Sequence, residues 1–206
     1  MAGEGREAAG GAAVPDDSPE SGAPYVVVAT EPWQRDAETQ IRWDVFAVEQ
    51  GVAPVLEIDA RDYRDEVIHL LAVVPAVPSG VGGPTDHESA GSELAGSEPA
   101  RGADGLIAIG TARIIPDAEP GHYHLGRIAV RKEWRGSGVG ALLVRGAHEV
   151  LRARLAPGES VVVALDAQVQ ARGFYERLGY EAVSEDVFLD AGIPHVTMMV
   201  TLMAAK

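Results

Sequence analysis

The sequence predicts one α+β domain built in three layers, a mixed and mostly antiparallel sheet flanked by helices. Three features of its 206 residues carry that expectation. Short β-branched apolar runs recur along the chain, as strands buried in a sheet require. Two stretches instead set apolar residues three and four apart, the period of a helix with one buried face. The last two runs flank residues 190–195, DAGIPH, a turn-rich connection that reads as an antiparallel hairpin.

Tyr25–Ala29 is apolar and β-branched, and after Thr30 a helix is expected in which Ile41, Val45 and Val48 share one face. Val67–Val74, ending before Pro75, and Leu106–Ile115 have the length and residue types of strands and are expected to pair with each other. His124–Val130 is a further strand. From Gly138 onward Val139, Leu142, Leu143, Ala147 and Val150 line one side of a second helix. Val161–Leu165 reads as a fully buried strand, and a short helix around Ala171–Leu178 follows, closed by Gly179. Ala182–Leu189 and Val196–Leu202 form the final hairpin.

Residues 1–22 are rich in Gly, Ala, Pro and acid, a composition that cannot offset its own ordering entropy, so a disordered acidic tail is expected. Residues 78–104 have the same character. Residues 23–77 alone are too few for a core, so 78–104 reads as a flexible insertion within one domain spanning 23–206 rather than as a boundary. Each of these two segments carries five acids against one arginine, and together they hold much of the formal net charge of -14. That charge disfavours nucleic acid as a partner. No apolar run is long enough to span a membrane and the N-terminus lacks a secretory apolar core, so a cytoplasmic location without membrane contact is expected. The absence of cysteine excludes thiolate ligands, disulfides and a cysteine nucleophile within the chain.

The most informative segment is IAVRKEWRGSGVGALL, residues 128–143: a strand, a charged loop, a glycine turn and an apolar helix. Gly136, Gly138 and Gly140 allow successive backbone N–H groups to face one concavity at the positive end of the helix dipole, where a pyrophosphate fits. Gly136, Gly138 and Ala141 also satisfy the G-x-G-x-x-A pattern of dinucleotide folds, with Asp166 ending the next strand. In those folds the turn follows its strand closely, whereas Arg131–Arg135 intervene here, which argues against that alternative.

The segment Arg135-Gly-Ser-Gly-Val-Gly140 resembles the acyl-CoA signature Q/R-x-x-G-x-G/A of the GNAT N-acetyltransferases, and FYERLGY, residues 174–180, resembles the family's helix with a tyrosine near the CoA sulfur. IRWDVFAVEQGV with LEIDARD, and GIPHVTMM near the end, are similar to its ElaA-like branch. The resemblance covers nearly all of the chain from residue 25. It implies a GNAT fold, splayed between its fourth and fifth strands, and an enzyme that uses acetyl-CoA as cosubstrate and no metal to acetylate a small-molecule primary amine by direct attack in a ternary complex. The backbone of Gly136, Ser137, Gly138, Val139, Gly140 and Ala141 is then expected to hold the pyrophosphate, with Arg135 in the signature. Ile128, Ala129 and Val130 are expected to pair with the pantetheine amides, one N–H polarising the thioester carbonyl. Gln168, with Ala167, stands where many relatives have the asparagine that holds CoA.

Among catalytic candidates, Tyr175 is expected to protonate the leaving thiolate. Glu49 and His195 are rival bases, ordered water being the alternative to both. The acids Glu49, Glu57, Asp59, Asp62, Asp65 and Glu66 stand where relatives line the acceptor cleft and suggest a cationic acceptor, while Trp134 and Arg135 flank the phosphate site and are expected to contact the adenine or 3'-phosphate of CoA, the charges of Arg131 and Lys132 assisting. Rival functions are a protein lysine or N-terminal acetyltransferase and a non-catalytic acyl-CoA-binding module. A homodimer through the sheet edge or C-terminal hairpin is a further expectation.

Overall fold

A computed structural model describes residues 22–57, 59–76 and 98–204. The expected acidic tail, apart from Gly22, and the part of the insertion up to residue 97 lie outside the described residues. The described strands are β1 (Tyr25–Val28), β2 (Ile68–Pro75), β3 (Leu106–Pro116), β4 (His122–Val130), β5 (Ser160–Gln168), β6 (Glu181–Ala182), β7 (Phe188–Asp190) and β8 (Ile193–Met203). They make one sheet in the order β1-β2-β3-β4-β5-β8-β6, with β7 also on β8. All pairs are antiparallel except β4 with β5. The helices are α1 (Pro32–Arg42), α2 (Pro54–Glu57), α3 (Val139–Arg152) and α4 (Arg172–Glu176). None of the described helices is long and apolar enough to cross a membrane.

Strand β2 is buried on both faces, which explains its unbroken apolar sequence. Leu70 and Ala72 pack with Leu143, Val144 and Ala147 of α3, whereas Leu71 and Val73 pack with Ala37 and Ile41 of α1. Helix α3 lies so near β1 that a Cβ at Gly146 would stand 2.9 Å from Val26, so the sheet face admits only glycine there. Helix α4 ends as its sequence indicates. Gly179 takes φ +91°, Tyr180 N donates to Tyr175 O and Gly179 N to Glu176 O, a Schellman closure.

Two expectations need correction. The first helix does not continue with α-helical spacing, because Trp43–Glu49 is a π-helix and Gln50 N donates back to Val45 O. The wider turn keeps Val45 buried but leaves Val48 45% exposed, off the predicted face. The final hairpin is shorter on one side than expected. Its turn narrows to Ala191 and Gly192, at φ 48° and 79°, so Ile193 and Pro194 belong to β8, while residues 184–187 leave the ladder between β6 and β7, Val183 N still donating to Thr197 O. Before β3, Arg101 bridges to Ile107 and Gln40 Nε2 donates to Glu98 O, tying this end of the insertion to α1.

His148 on α3 is buried and shares a 2.9 Å hydrogen bond with the Tyr180 hydroxyl. Burial, reinforced by Arg152, pushes its pKa down to about 4. The unfolded chain therefore binds a proton before the folded chain does. The stability this neutral group supports is complete above about pH 6.5 and is lost as pH falls toward 4, up to about 3 kcal/mol. Urea midpoints of the wild type should decline through that window, and His148→Gln, which keeps a partner for Tyr180, should flatten the decline.

Candidate active site

Strands β4 and β5 pair at His122, Tyr123 and His124 and then part. The gap opens into a cavity of about 460 Å³, walled by His124 and Ile128 of β4, Asp166 and Gln168 of β5, Tyr175 of α4 and His195 of β8. A β-bulge lies on the β4 side: Arg127 and Ile128 together face Ala112 of β3, and Arg127 takes φ 51°. Beyond the bulge, Arg131 N donates to Ile109 O, so Arg131 and Ala129 turn toward β3. Strand alternation then turns the backbone of Ile128 and Val130 to the open edge. The Val130 carbonyl on that edge accepts a 2.9 Å bond from Arg135 Nε.

The glycine turn leads from this edge into α3. Gly136 and Gly138 have φ +79° and +93°, with nothing within 4 Å of a Cβ added at either. Gly138 caps α3, and Leu142 N makes the bond to Gly138 O that begins the helical ladder, so Val139, Gly140 and Ala141 have no helical acceptor for their N–H groups. Ser137 Oγ donates to Trp134 O at 2.6 Å. Arg135 also pairs with Glu49 at 2.7 Å, fixing the turn to the end of the π-helix. Glu49 thus stands beside the glycine turn and outside the cavity lining. Trp134 packs on the core and Lys132 is exposed. Arg131 corrects an expectation: it is 5% exposed and pairs with Asp44 at 3.4 Å, so it cannot assist a phosphate.

Four side chains give the cavity its chemistry. Burial pushes the Tyr175 phenol up to about 12, which keeps it protonated at neutral pH. His124 Nε2 stands 3.8 Å from Asp166 Oδ2, and Asp166 Oδ1 accepts a 2.8 Å bond from the Thr197 hydroxyl. Burial lowers the His124 pKa; Asp166 opposes this, and Arg113 and Arg61 add to it. His195 Nδ1 lies 2.8 Å from Ile193 O and its ring stacks on Phe188. Donation through Nδ1 leaves Nε2 as the basic nitrogen. Across the mouth, Gln168 Nε2 donates to Gln50 Oε1 at 3.2 Å, joining β5 to the segment after the π-helix.

The acidic segment after α1 is not an open cluster of carboxylates. Buried Arg42 donates to Glu57 Oε1 at 2.5 Å, to Asp62 at 2.8 Å and to Glu38 at 3.2 Å. Arg113 donates to Asp62 at 2.6 Å, and Arg127 lies 3.4 Å from Glu57. Burial opposes the ionisation of Asp62, yet Arg42 and Arg113 hold it well below the usual carboxylate range. Asp59 bonds Arg61 at 2.9 Å and Glu66 bonds Arg64. The suggested cationic acceptor therefore loses Glu57, Asp59 and Asp62 as partners. Glu38, Asp62 and His69 offer atoms within 4.8 Å of one another, but their carboxylates already bond arginines that a metal ion would have to displace.

The structure brings together Tyr175, His195, Gln168, Ile128 and Glu57 from the sequence-derived set and adds His124, Gln50, Arg61 and Arg127. His124 stood in the expected strand unmarked. The usable signal was its place at the start of a strand that ends in the glycine segment, which puts it on the element that would hold the thioester.

The GNAT acetyltransferase domain model matches residues 100–202. YjcF of Bacillus subtilis (strain 168), an uncharacterized N-acetyltransferase, is 43% identical over 174 residues, 84% of this chain and 96% of its own. Among solved structures, Escherichia coli ElaA superposes with a TM-score of 0.60 at 23% identity, covering 86% of this chain and 97% of its own. An aminoglycoside 6'-N-acetyltransferase complexed with coenzyme A gives 0.54 at 14%, covering 89% and 99%. With the splayed sheet, the glycine turn and this similarity in agreement, the chain belongs to the GNAT family and is an acetyl-CoA-dependent acyltransferase.

Proposed function

We propose that the enzyme acetylates a primary amine by direct attack on acetyl-CoA within a ternary complex, at the fork between β4 and β5. The observation that carries this reading is the meeting, in one cavity, of a protonated phenol, a neutral imidazole paired with a carboxylate, and an open strand edge. The N–H groups of residues 136–141 take the pyrophosphate. Positive φ at two open glycines lets the turn approach an anion without side chains in the way. Ile128 and Val130 pair with the pantetheine amides, and the bulge aims one N–H at the thioester carbonyl, a contact of the kind worth about 3 kcal/mol in a transition state.

His124 is the base in this reading, with His195 second. Its lowered pKa keeps the imidazole neutral at neutral pH, so that one ring nitrogen can take the proton that the amine nitrogen loses as the C–N bond forms. As the C–S bond breaks, Tyr175 gives its phenolic proton to the thiolate and is reprotonated from solvent. Glu49 serves the turn through Arg135 instead of the reacting atoms.

Thiol release from acetyl-CoA across a panel of amines tests this assignment. Tyr175→Phe should lower kcat by about tenfold or more with acetyl-CoA affinity retained, and His124→Gln by about 100-fold. The acid limb of kcat/KM should lie below pH 6.5, because activity needs neutral His124 and its pKa is depressed. Full activity in both variants would remove these roles. Gly138→Ala forces φ +93° on a residue with a Cβ, at about 1–2 kcal/mol. Calorimetry should show acetyl-CoA bound about tenfold more weakly, or the urea midpoint should fall by an equivalent amount.

A further inference from the structure

Resting on the acetyl-transfer reading, we propose that the acceptor amine also carries a carboxylate, which Arg127 and Arg61 receive at the cavity wall. Among the described residues, the ion network behind that wall joins five guanidiniums, Arg35, Arg42, Arg61, Arg113 and Arg127, to four carboxylates, Glu38, Glu57, Asp59 and Asp62. The excess is one positive charge. Its position matters more than its size: two of the cations, Arg61 and Arg127, reach the cavity, but only Glu57 of the four acids does. The lining also carries Asp166 beside His124, and Asp190 of β7. The cavity is therefore polarised, cationic at Arg61 and Arg127 and anionic at Asp166 and Asp190.

Arg127 sharpens the point. It occupies the bulge at φ 51°, a conformation that glycine adopts without strain and that costs another residue about 1–2 kcal/mol. A side chain kept at such a position supplies something a glycine could not, and here that is a guanidinium 23% exposed at the cavity wall. Burial lowers its pKa, and although Glu57 opposes this, Arg113 and Arg42 add to it. An arriving anion relieves that crowding. The single excess charge matches a monoanionic carboxylate better than a dianionic phosphate. A diamine would put its second ammonium against Arg61 and Arg127, so an amino acid fits this cavity and a polyamine does not.

The test is acetyl transfer to free amino acids, each measured beside its own carboxamide. The wild type should prefer the carboxylate by tenfold or more in kcat/KM. In Arg61→Gln, a change at a 56% exposed side chain, and in Arg127→Gln, that preference should fall by about tenfold, chiefly through KM. Carboxamides acetylated as well as the acids, or a preference that survives both substitutions, overturns the inference and leaves the acetyltransferase reading standing. If neither arm releases thiol, this inference fails, and thiol release with other primary amines decides whether the acetyl-transfer reading stands.

Discussion

Parallel strands that pair at three positions and then separate leave two edges of unsatisfied backbone facing each other. Everything at the candidate site depends on that parting. It opens the cavity and turns the Ile128 and Val130 amides outward toward it. It also gives the β4 bulge a purpose, since a strand with an extra residue cannot hold register with a straight neighbour. Strand β5 stays in place because β8 pairs along its whole length on the other side. Loss of one edge is thus compensated by a long antiparallel ladder on the other, and α3 and α4 cover the same face of the sheet.

The second determinant is the arginine network. A buried carboxylate or guanidinium is costly alone, and the segment from Pro54 to Tyr63 stays in place because Glu57, Asp59 and Asp62 each meet a cation from α1, β3 or β4. This network fixes the part of the cavity lining that carries Arg61 and Arg127 and supplies the charge that reaches the cavity. The π-helix contributes by setting Gln50 against Gln168 and Glu49 against Arg135, so one irregular turn touches both the mouth of the cavity and the glycine loop.

Much of this was legible in the sequence because it rests on local rules. The apolar run of β2, the one-faced spacing of α3, Gly179 after α4 and the glycines before α3 each reflect a constraint acting within a few residues. What escaped was decided by distant partners. A π-helix has no distinctive period over seven residues, and Val48 gave a false helical match. Glu57, Asp59 and Asp62 read as acids lining an acceptor cleft until Arg42 and Arg113 come from elsewhere in the chain to neutralise them. Arg131 read as a cation assisting the phosphate site because Asp44 lies far off in sequence. His124 became a candidate only when Asp166 was brought across from β5.

Amide hydrogen exchange with and without acetyl-CoA tests the central claim most directly, since the fork is held to bind the cosubstrate through backbone groups. The account predicts slowed exchange concentrated at Ile128, Val130 and residues 136–141, with the β2–β3 ladder unchanged. Protection located elsewhere, or none at saturating acetyl-CoA, would contradict it.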